Sequence, residues 1–65
     1  MNFNYMKDFI KVVEYKSLNK ASRELNISTP ALSKRIRSIE DYFDCNLFYR
    51  TSKGIFLTQK GNAVY

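Results

Sequence analysis

Apolar positions along the chain follow three helical stripes and then change period. Met6, Phe9, Ile10 and Val13 recur at i, i+3, i+4 and i+7, the stripe of an amphipathic helix over about residues 4–16. Ser17 interrupts it and suits the N-cap of a second, short helix. In that helix Leu18, Ala21, Ser22 and Leu25 share one face, while Lys20, Arg23 and Glu24 point outward. Asn26 follows, a residue that tolerates the left-handed conformation closing a helix. Ile27 turns back toward the core and Ser28 caps a third helix at once. In this helix Leu32, Ile36, Ile39 and Phe43 fall within roughly 60° of arc at 100° per residue, and Pro30 sits in the first turn, where a missing N–H costs little.

Beyond Asp44 the pattern turns β-branched and aromatic. LFYR (Leu47 to Arg50) and GIFLT (Gly54 to Thr58) flank the turn residues TSKG, which predicts a hairpin. Thr58 is placed to cap a fourth helix, TQKGNAVY, expected to be the stub of a longer one. The fold class expected is mainly α with a small β-hairpin. Two helices joined by so short a connection read as a helix-turn-helix over about residues 18–37, and a hairpin beside it, over about residues 46–57, reads as a wing.

Charge sharpens this picture. The chain of 65 residues carries a net charge of +5. In the third helix Lys34, Arg35 and Arg37 precede Glu40, Asp41 and Asp44. A helix macrodipole favours the opposite order, although the cost beyond the first turn is only about a few tenths of a kcal/mol. Arg37 is expected to recover part of it from Glu40 and Asp41 at i+3 and i+4. Helix stability does not explain where those cations sit. A polyanion does, because the second helix of a helix-turn-helix enters the DNA major groove with its N-terminal residues at the base edges. Thr29, Pro30, Ser33, Lys34 and Arg37 make up that leading face, and no acid is among them. The hairpin rim, Arg50-Thr51-Ser52-Lys53-Gly54, adds two cations and two hydroxyls beside it.

Other chemistry finds little support. The chain has no histidine, one cysteine and no glycine-rich phosphate loop. Ser17 and Lys20 match the S-x-x-K spacing of acyl-transfer enzymes, but the partner motifs are missing. Asp41 and Asp44 lack convergent ligands for a metal. The expectation is a protein that is not an enzyme and holds no cofactor. Cys45 excludes an intramolecular disulfide and fits a reducing compartment, with the cytoplasm as the default. Apolar runs never exceed three residues, so no membrane contact is expected. Phe9, Phe43, Phe48 and Phe56 are expected in the core, and Tyr5, Tyr15, Tyr42 and Tyr49 as core or snorkelling rings rather than stacking platforms.

Spread over the whole chain are Met6-x-x-Phe9-x-x-Val12-x-Glu14, Ser17-Leu18-x-x-Ala21-x-x-x-Leu25-x-Ile27-Ser28-x-Pro30-Ala31-Leu32-Ser33, Ile36-x-x-Ile39-Glu40, Leu47-Phe48-x-Arg50-Thr51 and Leu57-Thr58-x-x-Gly61. In order and spacing this resembles the N-terminal DNA-binding domain of LysR-type transcriptional regulators. The resemblance implies a winged helix-turn-helix over residues 1–58 and the start of a linker and dimerisation helix at residues 59–65. It also implies a separate C-terminal domain that binds a small-molecule effector, and a homodimer on double-stranded DNA with an inverted-repeat operator. Carried over by position, base reading falls on Thr29, Pro30, Ser33 and Lys34, and wing contacts fall on Arg50 and Lys53. Thr29 stands where the family often has glutamine, and it cannot make glutamine's bidentate contact to adenine. Lys16 and Asp44 stand where glycines are usual. The function expected is sequence-specific duplex-DNA binding in transcription regulation, with the recognition helix at about residues 29–44. A winged-helix module docking an acidic protein, or one binding RNA, is the alternative.

Overall fold

The computed structural model describes residues 3–65, with side chains from Tyr5 onward. Four helices and one hairpin follow in order: α1 (Phe3–Tyr15), α2 (Leu18–Glu24), α3 (Thr29–Phe43), β1 (Phe48–Thr51), β2 (Gly54–Leu57) and α4 (Gln59–Val64). Local chemistry sets these boundaries. Ser17, Ser28 and Thr58 occupy the three N-caps, and their hydroxyls accept from the backbone N–H of Lys20, Ala31 and Gly61. Asn26 at φ 57 and Asp44 at φ 54 supply the left-handed turns after α2 and α3.

Helices α1, α2 and α3 pack on one another around Phe9, Val12, Ala21, Leu32, Ile36 and Ile39. The hairpin closes one side with Leu47, Phe48 and Ile55, and the Phe9 and Phe48 rings lie 5.3 Å apart at 57°. Strand β1 pairs with β2 antiparallel, Phe48 opposite Leu57 and Thr51 opposite Gly54, so that Ser52 and Lys53 make the turn. Glu40 ties the hairpin to α3, its Oε2 accepting from the N–H of Leu47 at 2.8 Å and of Phe48 at 3.4 Å.

The α1 stripe differs from the expected one. Val12 is fully buried, whereas Ile10 is 41% exposed. Met6, Phe9 and Val13 pack on the core as expected, but the buried arc widens on the other side of Phe9, across Tyr5 and Val12 as far as Asp8, and leaves out Ile10, about 100° from Phe9. Asp8, only 3% exposed, is accommodated there because Arg35 Nη1 lies 3.2 Å from its Oδ2. The Arg35 guanidinium also sits 5.6 Å from the Tyr5 ring centroid. Phe43 is another departure, 37% exposed instead of core. It lies about 6 Å of helix rise beyond Ile39, the last buried position of α3, and packs edge-on against Tyr42.

Candidate nucleic-acid interface

The first half of α3 and the hairpin present one basic face. Pro30, Lys34 and Arg37 are exposed on α3, and Thr29 and Ser33 are half-buried. Arg50 is exposed on β1 and Lys53 in the turn, where the Lys53 N–H donates to Thr51 Oγ1 at 3.1 Å. Two of the expected residues meet directly: Arg50 Nη2 donates to Ser33 Oγ at 3.4 Å. Ser33, Arg37 and Arg50 line one cleft between α3 and the strands, and Thr29 and Arg50 line another nearer the start of α2. Lys34 and Lys53 line neither of these clefts.

Two expectations about side chains need correction. Arg37 pairs with neither Glu40 nor Asp41; among the described residues the ion pair within 4.0 Å is Arg35–Asp8. The Glu40 carboxylate instead caps the amides entering β1, and Arg37 is left to solvent. The tyrosines are less buried than expected, since Tyr15, Tyr42 and Tyr49 are exposed. Each ring is nevertheless engaged by a neighbour on its own element or sheet: Lys11 over Tyr15, Phe43 against Tyr42, Phe56 against Tyr49. Three rings on three elements make no continuous stacking platform.

Thr29 is held inward. Its Oγ1 donates to Asn19 Oδ1 at 3.0 Å and lies 3.1 Å from Ser22 Oγ, whose proton goes to the Asn19 carbonyl at 2.9 Å. Asn19 and Lys16 join the face as well, though the sequence assigns neither to it. Neither carries a periodic signal. They reach the cleft because the wing docks on the connection between α1 and α2, where the Ile55 N–H donates to the Lys16 carbonyl at 3.2 Å.

The family model described as the bacterial regulatory helix-turn-helix protein, lysR family, matches residues 3–62. The chain belongs to the lysR family. Over its whole length this lysR-family chain is 37% identical to the nitrogen assimilation regulatory protein nac of Klebsiella aerogenes, of which it covers 21%. The lysR fold is matched by the crystal structure of the BenM DBD/catB site 1 DNA complex, with a TM-score of 0.92 and 32% identity over 100% of this chain and 73% of that one. A CbnR DBD–DNA complex matches at a TM-score of 0.91 and 31% identity, over 98% of this chain and 74% of that one. The chain spans about a fifth of the length of the curated nitrogen assimilation regulatory proteins it matches. Among the described residues, no helix is long and apolar enough to cross a membrane.

Proposed function

We propose that this lysR-family chain is the sequence-specific duplex-DNA-binding unit of a transcription regulator. Helix α3 enters the major groove by its N-terminal half, and the wing lies along the backbone or the adjacent minor groove. Pro30 and Ser33 face base edges with Thr29 beside them, while Lys34, Arg37, Arg50 and Lys53 hold phosphates. The observation that carries the reading is the Ser33–Arg50 contact, which joins recognition helix and wing into one face on which every expected residue is basic or uncharged. The DNA complexes of BenM and CbnR, so similar over this length, support it.

In this reading the chain does no catalysis, holds no cofactor and works in the cytoplasm where its DNA is. Residues 1–58 form the binding unit, and α4 begins a linker helix that pairs two copies on an inverted repeat. A small-molecule effector acts on a domain outside these residues. Selection from a random duplex-DNA pool at near-physiological salt tests the central claim. A defined half-site is the expected result. Retention without sequence enrichment restricts the chain to phosphate binding, and no retention favours a protein partner instead.

A further inference from the structure

A cleft of about 250 Å³ opens where the connection before α2, the first residue of α3 and the wing converge. Lys16, Ser17, Asn19, Thr29, Arg50 and Thr51 are its polar lining residues, and no acid is among the residues that line it. Two details set its chemistry. The first is the fixed amide of Asn19. Thr29 Oγ1 gives its proton to Asn19 Oδ1, and the Asn19 backbone carbonyl accepts from the hydroxyl of Ser22, a residue 3% exposed. The two Nδ2 protons of Asn19, an exposed residue, meet no partner among the described residues. An amide held by its oxygen offers donors only, which matches a ligand that only accepts, such as a phosphate oxygen.

The second detail is the backbone at Lys16. Its φ of 54 is a conformation that glycine adopts freely and lysine does not. The docked wing leaves little choice, because the Lys16 carbonyl must face the Ile55 N–H. The chain therefore carries a long cationic residue at a position where its backbone favours glycine, and that residue lines the same cleft as Arg50.

The geometry points to a seat for one backbone phosphate of duplex DNA in this cleft. Asn19 donates the hydrogen bond and Lys16 supplies the charge, while Arg50 holds a phosphate of its own. Thr29 is a positioning residue that turns the Asn19 amide outward, so its hydroxyl orients a phosphate contact and reads no base. The inference rests on the DNA-binding reading above and extends the contact surface from α3 and the wing to the start of α2.

The test is titration of a labelled mixed-sequence duplex with the 65-residue chain, followed by fluorescence anisotropy between about 50 and about 200 mM salt. Lys16→Gln should lower the slope of log K against log salt by about 0.9, one phosphate's worth. Lys16→Gly should do the same while melting at a higher temperature than the parent, so that unfolding cannot account for the loss. Asn19→Ala should weaken binding about tenfold on every duplex while keeping the slope. Thr29→Val should reproduce Asn19→Ala, and the two together should be no weaker than either alone. A parental slope in Lys16→Gln overturns the seat. So does a changed base preference in Thr29→Val, measured by pool selection. Lys34→Ala serves as the reference. If the parent shows no salt-dependent binding, the DNA reading itself has failed and the seat falls with it. If both behave as expected while Lys16 and Asn19 are silent, the seat alone is lost.

Discussion

Arg50 Nη2 lies 3.4 Å from Ser33 Oγ, so a wing cation is already bonded to the recognition helix before any partner arrives. The contact is long and exposed, and worth little to the fold. Its consequence is geometric: the guanidinium is held over the helix face that would enter a groove. Arg50→Ala should weaken binding to every duplex and lower the salt slope by about 0.9. Ser33→Ala should change base preference and leave the slope alone. Equal losses on all sequences for Ser33→Ala would remove it from base reading.

Lys34 and Lys53 stand apart from that contact, one on α3 and one in the turn between the strands. Lys34→Ala and Lys53→Ala should each reduce affinity uniformly across sequences, with a salt slope shallower by about 0.9 apiece. The checking measurement is binding to specific and mixed-sequence duplexes over a salt series. An unchanged slope in either variant places that lysine outside the interface.

Asp8 and Arg35 concern stability more than binding. Arg35→Ala strands a carboxylate that is 3% exposed, and should cost about 1–3 kcal/mol. In a domain of this size each kcal/mol lowers the melting temperature by about 4–8 °C. Replacing both residues, as Asp8→Leu with Arg35→Met, should recover most of the loss because no charge is then left buried. Thermal melts of the three variants decide it. A double variant as unstable as Arg35→Ala would show that the pair does more than neutralise itself.

What could be read from sequence divides along the range of the forces involved. Caps at Ser17, Ser28 and Thr58 and the left-handed turn at Asn26 depend on a few neighbouring residues, and all were legible, whereas Asp44 was marked only by the resemblance, as a position where glycine is usual. The face of α1 was legible only in part. A stripe including Ile10 and one including Val12 are both helical, and the side that is buried also holds Asp8, paired with Arg35 from a distant helix. Glu40 was legible as a helix acid but not as a cap for Leu47 and Phe48, because that role needs the hairpin's position. Within the candidate interface, Ser33, Lys34 and Arg37 follow from helical geometry. Lys16 and Asn19 do not, since only the docking of Ile55 on the α1–α2 connection brings them to the same cleft.

Glu40 gives a local test of how the wing is held. Glu40→Ala removes the acceptor of two part-buried amides, Leu47 and Phe48, and should cost about 1–3 kcal/mol. Hydrogen exchange at those two amides should accelerate more than exchange in the middle of α1. Glu40→Gln keeps a side-chain carbonyl and should lose less. If both variants exchange like the parent, the wing is held by its apolar contacts alone.

Gly61 sets two effects against each other. Helix propensity favours Gly61→Ala in α4 by up to about 1 kcal/mol. The site opposes it. An added Cβ would meet Leu57 Cδ2 at 2.9 Å and the Leu47 carbonyl carbon at 3.0 Å, and would press still more closely on the Leu47 oxygen. The leucine tip can give way, but the carbonyl cannot: Leu47 O already accepts from the Thr58 N–H at 2.9 Å, the bond that seats α4 on the hairpin. Overpacking of this kind typically costs about 1–3 kcal/mol and here exceeds the propensity gain. Gly61→Ala should therefore melt lower than the parent, with α4 amides exchanging faster. A variant that melts higher would mean that α4 can shift away from Leu47 without loss, and that its seat on the hairpin contributes little to the fold.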